Sequence, residues 1–334
     1  MPSVPVRILL LTLSLAVPPL PLLVPGKPVE SELTEAQAFR VEVEGKPVLV
    51  TVEEQGINVA LAVRSPSGSL GPVSTADERE ATETWLIEEE GEHRLEVRRT
   101  MYGAPRGRFR IQVEELEDRR RVEAERLMTE AGLLDMQQTR EAREKALGLY
   151  GQALARWRAL GRKEEEARTL FRLAYLHQDL GDAQAMLDRL QEALPLFTSL
   201  GNKARESDVL TYIGFAQAKL GKYREAVESY ERSLKIRRER NDLWGEAVTS
   251  QNLCEIQMHL SKWREAINCY EKVLPLMEKA GESTASVLNG VGGVYTFLGE
   301  PSKARDYYLR SLQQRRLFED WEGEAFGLNN LAVL

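Results

Sequence analysis

The chain has 334 residues, a formal net charge of -7 and a hydrophobic fraction of 43%. This length allows two or three domains, and the composition is that of an ordinary folded protein. A nucleic-acid-binding protein needs a concentrated basic face, which this acidic chain lacks, so we expect no nucleic-acid partner.

The N-terminus carries Arg7 followed by the short apolar run ILLLTLSLAV. Such a run is typical of a secretory signal, and it is too short and too interrupted by prolines for a comfortable membrane span. Residues 1–26 are therefore predicted to be an export signal, which places the protein in the periplasm or outside the cell. The following stretch PPLPLLVPG has no clear small-x-small cleavage site. An uncleaved N-terminal anchor is the alternative, and the membrane contact that we expect goes through this segment alone.

Between residues 37 and 114, apolar and polar side chains alternate, which is the pattern of half-buried strands. Turn-forming stretches such as EGKP at 44–47 and SPSG at 65–68 separate the alternating runs. Six short strands of this kind predict a small antiparallel β-sandwich over residues 30–116. The inward-facing residues are Phe39, Val41 and Val43; Val48, Val50 and Val52; Val59, Leu61 and Val63; Trp85 and Ile87; Leu95 and Val97; and Phe109, Ile111 and Val113.

Three segments of this region, GINVALAVRSPSGSL, EEGEHRLEVRR and GRFRIQVEEL, resemble the bacterial pre-peptidase C-terminal type of domain. That family is a jelly-roll-like β-sandwich of exported proteins, and the resemblance implies an accessory, non-catalytic module. Carbohydrate or surface binding by the sandwich is a lower-ranked hypothesis because the region has few candidate exposed aromatic residues.

After Asp118 the apolar spacing becomes helical and repeats along the chain. Tyr150, Leu190, Tyr230, Tyr270 and Tyr308 recur at steps of 40, 40, 40 and 38 residues. The helix-breaking pairs LG at 180, LG at 220, LS at 260 and LG at 298 fall at the same place in each unit. Residues 119–334 are therefore predicted to form a solenoid of about five helix pairs, the last one incomplete.

The segment IGFAQAKLGKYREAVESYERSLKI resembles the tetratricopeptide repeat, whose pattern it carries as Gly214, Gly221, Tyr223, Ala226, Tyr230 and Leu234. The step is longer than the usual ~34 residues of that family, as in the longer repeats of kinesin light chains. The second unit departs from the pattern at Met186 and Leu190, and the first lacks the glycine between its helices, as a capping repeat would. The expected fold is multidomain: a small antiparallel β-sandwich followed by an all-α tetratricopeptide-repeat solenoid.

The sequence contains no phosphate-binding, dinucleotide-binding, zinc-protease or serine-hydrolase motif. Cys254 falls at a position between helices where it is expected to be buried, and Cys269 has no histidine near it. The two cysteines cannot make a disulfide framework or a four-ligand zinc site, so we expect packing to supply the stability. His93, His177 and His259 lie on separate elements. We predict a chain that is not an enzyme and that uses no cofactor or metal.

Stacked helix pairs curl so that their first helices line a concave groove, which can hold a protein or peptide segment. The resemblance gives the groove positions by register, and side-chain amides suit them because each amide both donates and accepts hydrogen bonds. The competing interpretation is that these residues are ordinary exposed polar side chains. The predicted groove residues are Thr211, Phe215, Lys219, Gln251, Asn252, Glu255, His259, Asn289, Phe297, Asn329 and Asn330.

The last eight residues, GLNNLAVL, align with SQNLCEIQ at 250–257 and so predict a first helix without its partner. Leu328, Leu331 and Leu334 are then expected to face no neighbour. A signal, a sandwich and long repeats resemble the N-terminal half of bacterial proteins that continue into a CHAT domain, a caspase-like cysteine peptidase. The leading hypothesis is an exported protein–protein interaction scaffold, and the alternative is the recognition half of such a peptidase.

Overall fold

A computed structural model describes residues 20–33, 36–55, 59–68, 74–75, 82–99, 107–318 and 320–334. It contains a β-sandwich followed by a solenoid of helix pairs, which confirms the predicted fold class. The predicted signal lies largely outside the described residues. No described helix combines the length and the apolar character that crossing a membrane requires.

The six predicted strands are present, and the described residues add two more, β1 and β5. Alternation is clear in β2, where Phe39, Val41 and Val43 are buried while Glu42 is exposed, whereas residues 59–63 are all buried. The strands are β1 (Val29–Leu33), β2 (Gln37–Val43), β3 (Val48–Gln55), β4 (Val59–Arg64), β5 (Ser74–Thr75), β6 (Thr82–Ile87), β7 (Gly91–Arg99) and β8 (Gly107–Glu115).

The strands form two four-stranded sheets, ordered β1-β8-β3-β6 and β2-β7-β4-β5. All pairings among these strands are antiparallel, and β1 pairs with β8, β2 with β7, β3 with β6 and β4 with β5. The first four strands therefore pair with the last four in reverse order, as in a long hairpin wrapped into two sheets. This is the double-sheet arrangement of a jelly roll.

Residues 20–26, which fall within the predicted signal, pack on the sandwich. Leu23 is 2% exposed and lies in the core with Phe39 and Val41. Its backbone N–H donates to the Arg40 carbonyl at 2.8 Å, and the N–H of Gly26 donates to the Val113 carbonyl at 3.1 Å. Removal of these residues would leave an unfilled space in the core.

The helices pack as five antiparallel pairs, with one further helix at the end. They are α1 (Arg119–Asp135), α2 (Arg140–Leu160), α3 (Lys163–Asp179), α4 (Ala183–Ser199), α5 (Lys203–Lys219), α6 (Tyr223–Glu239), α7 (Leu243–His259), α8 (Trp263–Ala280), α9 (Ala285–Phe297), α10 (Pro301–Leu317) and α11 (Trp321–Val333). The predicted incomplete unit is α11, so the described chain has five full pairs and half of a sixth. In the second unit, Met186 and Leu190 are buried like their counterparts in the other units.

The predicted breaks between paired helices are confirmed. Leu180, Leu220, Leu260 and Leu298 are the C-terminal caps of α3, α5, α7 and α9. The next residue takes the left-handed conformation at each break, and at the third break Ser261 adopts it with φ 58° although it is not glycine. The turn between the two helices requires a residue in the left-handed conformation, and it does not require glycine. Glycine adopts this conformation at the lowest cost in free energy.

The two cysteines form a disulfide between α7 and α8, with their Cα atoms 5.4 Å apart. Cys254 is fully buried, as predicted, but the expectation that packing alone holds the helices together is wrong. Position 254 faces the second helix of its own unit because the repeat places a small residue there. Cys269 lies on the opposing helix next to the buried Tyr270, so the repeat geometry brings the two sulfurs together.

Candidate functional site

The concave face of the solenoid is lined by the first helix of each unit, and side chains from neighbouring first helices bond to one another there. Asn330 of α11 donates from Nδ2 to Oδ1 of Asn289 on α9 at 2.7 Å. Ser286 of α9 donates from Oγ to Oε1 of Gln251 on α7 at 2.9 Å. These bonds show that α7, α9 and α11 present predicted groove residues on one continuous surface.

Gln251 also lies close to Glu255, another of the predicted groove residues. Its Nε2 lies 3.5 Å from Oε1 of Glu255, one helical turn further along α7. Glu255 is exposed at the groove surface, yet the protein around it removes part of its hydration and raises the pKa of its carboxyl group, while Gln251 and His259 act in the opposite direction. Glu255 can therefore change from acceptor to donor at a higher pH than an ordinary surface glutamate.

Aromatic rings border the groove near the helix ends. His259 stacks on Tyr223 with ring centroids 5.5 Å apart, and Phe297 stacks on Trp263 at 5.0 Å. Phe297 is 68% exposed, so one face of its ring is open to a ligand. Stacking on a second ring holds Phe297 in place, which lowers the entropy cost of a contact there.

At the other end of the predicted set, Phe215 of α5 is half-buried against the core of the first units. Lys219 places its Nζ 5.1 Å from the centre of the Phe215 ring. This is a cation–π arrangement, and it holds a positive charge at the groove surface. Asn252 of α7 is half-buried, and Asn329 of α11, which occupies the register of Gln251, is exposed.

The structure corrects the prediction for Thr211, which is buried at 6% exposure. Its hydroxyl lies 2.8 Å from Ser233 Oγ and 3.1 Å from Thr249 Oγ1, and it donates to the Ser207 carbonyl at 3.1 Å. A hydroxyl engaged in a buried network is not available to a ligand. Thr211 belongs to the packing between helices, because its small side chain and those of Ser233 and Thr249 let the helices approach.

The register of the predicted groove residues extends one unit further towards the N-terminus. Phe171, Tyr175 and Asp179 of α3 lie 40 residues before Thr211, Phe215 and Lys219, at the same register. Phe171 and Tyr175 form an aromatic cluster with Tyr212 of α5, with centroids 4.8 to 5.6 Å apart. The 40-residue period predicts these positions if it is extended towards the N-terminus.

Among the residues that the structure describes, no three His, Cys, Asp or Glu side chains are grouped as a metal ion would require. His93 is buried in the sandwich with Nδ1 3.1 Å from the Gly91 carbonyl oxygen, and both cysteines are joined in the disulfide. The concave face presents hydrogen-bonding groups, charged groups and aromatic rings.

Residues 165–239 and 246–317 match the family model described as tetratricopeptide repeat. These residues correspond to α3–α6 and α7–α10, so the repeats inferred from the 40-residue period are confirmed. No curated protein matches the chain.

Several solved structures are similar to the helical region. BtubC from P. vanneervenii is 18% identical and has a TM-score of 0.51, covering 60% of this chain and 84% of its own. The apo form of RapI is 18% identical with a TM-score of 0.50, covering 59% of this chain and 74% of its own. A signal-transduction ATPase with a tetratricopeptide repeat sensor, from Pyrococcus horikoshii, is 15% identical with a TM-score of 0.51, covering 64% of this chain and 34% of its own. At these identities the likeness shows the fold alone.

Proposed function

We propose that the protein is an interaction scaffold that binds a segment of another protein or a peptide along the concave groove. The observation that carries the proposal is the continuous row formed by Gln251, Ser286, Asn289 and Asn330, which bond across three neighbouring first helices. A peptide backbone presents alternating N–H and C=O groups, and each amide side chain of the row can pair with either. The exposed Phe297 ring adds an apolar contact at the border of the row.

The similar solved structures show the fold and identify no partner. The Pyrococcus horikoshii protein carries its tetratricopeptide repeats as a sensor. A sensing role for the repeats of this chain is consistent with the same architecture, and the β-sandwich then serves as an accessory module at one end of the groove.

We further propose that the protein works outside the cytoplasm, in the periplasm or the extracellular space. The alternative form of this proposal is that an uncleaved N-terminal segment anchors the protein to the membrane. The apolar run after Arg7 supports export. The disulfide between Cys254 and Cys269 supports it independently, because disulfides persist mainly in oxidising compartments. Fractionation of the native host is the test: recovery of the protein in the soluble cytoplasm would contradict export.

The groove is tested with a peptide selected by display against the full chain. We expect Asn289→Ala and Phe297→Ala each to weaken binding by about tenfold, since each removes a groove contact of the size seen for important interface residues. Glu231→Ala is the matched control because Glu231 is exposed on α6, a second helix outside the groove. Fluorescence anisotropy measures the affinities, and unchanged affinity in both groove variants would refute the proposal.

The alternative, the recognition half of a caspase-like peptidase, rests on the resemblance in domain order. Neither cysteine of this chain can serve as a nucleophile while both are joined in the disulfide. The catalytic pair would have to be encoded elsewhere, so the test is to read the DNA beyond codon 334 in three frames. A His and Cys pair in an α/β segment supports this alternative, and its absence contradicts it.

A further inference from the structure

A cavity of about 230 Å³ lies where the sandwich meets the first helix pairs. Thr84 and Trp85 of β6 form one wall, and helices α1, α2, α3 and α5 supply most of the others. Arg168 of α3 approaches the sandwich, with Nη2 3.5 Å from Thr84 Oγ1. The cavity is therefore built by both domains, a common location for ligand sites. We call it the junction pocket.

The junction pocket is lined in part by residues at the groove register. Its α3 wall contains Phe171, Tyr175 and Asp179, which occupy the groove register one unit before Thr211, Phe215 and Lys219. A segment that follows the groove towards the sandwich reaches this pocket after α5. The pocket is also accessible to a small molecule that does not use the rest of the groove.

Arginine dominates the charged lining of the pocket, although the whole chain is acidic. The lining includes Arg143, Arg168, Arg172 and Arg205 against Asp135 and Asp179. Arg143 is held by Asp179, with Nη2 to Oδ2 at 2.8 Å, and lies 3.8 Å from Asp135. Because the cationic side chains outnumber the anionic ones, the pocket favours an anion.

Aromatic and apolar surface stands beside these charges. Phe171 packs edge to face on Tyr175 with centroids 5.0 Å apart, and the guanidinium carbon of Arg205 lies 5.6 Å from the centre of the Phe171 ring. Arg205 is also 3.5 Å from Asp208, so its position is fixed from two sides. A planar guanidinium held over an aromatic ring suits a carboxylate attached to an apolar group.

The size of the pocket limits the ligand. At about 230 Å³ it is smaller than the roughly 300–1,000 Å³ of pockets that enclose drug-sized molecules. It can hold a small acid or one residue of a peptide, but no folded domain.

We propose that the junction pocket binds a carboxylate carried on an apolar or aromatic group. The carboxylate faces the arginine side chains, and the apolar group packs on the rings of Phe171 and Tyr175. The ligand is either a free small acid or a residue of the segment in the groove; the second source rests on the proposed function, and the first does not.

The first arm of the test uses N-acetyl-L-phenylalanine and its amide as probes on the full chain, by ligand-observed NMR titration. The second arm uses the display-selected peptide in three forms: with a free C-terminus, with a C-terminal amide, and with its Asp and Glu residues replaced by Asn and Gln. Each ligand is measured on the wild type, on Arg172→Gln, and on the control Arg232→Gln, whose arginine is exposed on α6.

We expect the acid to bind about tenfold more tightly than its uncharged form in at least one arm, the size expected for hydrogen bonds to a charged group. Arg172→Gln should remove that difference, and Arg232→Gln should keep it. The arm in which the difference appears identifies the source of the carboxylate. Equal binding of charged and uncharged ligands in both arms would overturn the proposal, and this comparison on the wild type does not depend on how the variants fold.

The two proposals can fail separately. If groove substitutions weaken peptide binding but the carboxylate makes no difference, the junction pocket proposal is wrong and the scaffold proposal stands. If no peptide binds but the small acid does, the scaffold proposal is wrong and the pocket proposal stands.

Discussion

At the scale of single residues, two helical glycines have opposite roles. Gly214 of α5 faces the ring of Tyr230, and a Cβ there would lie 2.7 Å from the ring, whereas a Cβ at Gly148 of α2 would meet open space. We expect Gly214→Ala to lower the free energy of unfolding by about 1–3 kcal/mol through overpacking. Gly148→Ala should raise it by up to about 1 kcal/mol through helix propensity.

Thermal unfolding followed by circular dichroism checks this pair of variants. The melting temperature should fall for Gly214→Ala and should not fall for Gly148→Ala. A fall of the same size in both would contradict the close approach of α5 and α6 at this position.

Two neighbouring arginines of α6 should differ in the same way. Arg237 is 4% exposed and donates to Asp208 at 2.8 Å and to Asp242 at 2.5 Å, while Arg238 lies at the surface and pairs with Glu246. Arg237→Ala removes the shortest ion pair of each acid and leaves only the longer ones, Arg205 to Asp208 at 3.5 Å and Arg240 to Asp242 at 3.8 Å. We expect a loss of about 3 kcal/mol, the lower end of the cost of breaking a buried pair. Arg238→Ala should cost less than about 1 kcal/mol.

Chemical denaturation of both variants measures these values. The arrangement recurs 78 residues later, where Arg315 donates to Asp320 at 2.7 Å, so Arg315→Ala should also be more costly than Arg316→Ala. Equal stability of Arg237→Ala and Arg238→Ala would contradict the buried network.

A buried acid in α1 gives a pH prediction. Glu125 is 2% exposed, and burial raises its pKa with help from Glu165, although Arg168, Arg121 and Arg162 act in the opposite direction. The folded state therefore binds this proton more tightly than the unfolded state. Its contribution to the free energy of unfolding falls as pH rises from the unfolded pKa towards the raised folded pKa, and it stays low above that.

Glu125→Gln removes this titration while keeping the shape of the side chain. We expect the variant to gain stability relative to the wild type as the pH rises from about 4.3, the ordinary glutamate pKa, towards neutrality. Melting temperatures of both proteins across this interval check the prediction. Parallel curves for the two proteins would contradict it.

At the scale of elements, the disulfide ties α7 to α8 around a loop of 15 residues in sequence separation. A crosslink across a loop of this length reduces the conformational entropy of the unfolded chain. In the entropic model this stabilises the folded state by about 3 kcal/mol. We expect the double variant Cys254→Ser with Cys269→Ser to melt at a lower temperature than the wild type. The melting temperature of the variant should not respond to a reducing agent, whereas that of the wild type should fall.

The repeats and strands that were predictable share a strong local period. The 40-residue step placed Tyr230 and Tyr270 in equivalent packing positions, and both are buried. In the sandwich, the short β5 has no alternating run long enough to be recognised. The disulfide joins Cys254 of α7 to Cys269 of α8. The repeat register predicts the face of α7 that carries Cys254. It does not by itself predict that Cys269 lies opposite Cys254.

The sequence predicts the helix face on which each groove residue lies, but it does not predict whether that residue is exposed. Asn289 and Asn330 lie on one surface as the register requires, because neighbouring first helices are parallel and in phase. Thr211 has the same register but is buried, since small residues around it allow the helices to approach closely. Register places a side chain on a face, and the sizes of its neighbours decide its exposure.

At the scale of the whole molecule, the sandwich packs on the first helix of the solenoid. Leu49, Leu86 and Leu116 of the sandwich region form an apolar cluster with Val122 of α1, and Arg126 of α1 pairs with Glu88 at 2.7 Å. This docking creates the junction pocket. It was not predictable from the sequence, because contacts between domains leave no periodic signal in either one.

The proposed function requires the concave face to be the binding surface. The most direct test is photo-crosslinking of the selected peptide, carrying benzoylphenylalanine at successive positions, to the full wild-type chain, with the sites located by mass spectrometry. We predict crosslinks on the first helices α3, α5, α7, α9 and α11. Crosslinks concentrated on the second helices α4, α6, α8 and α10 would contradict the account.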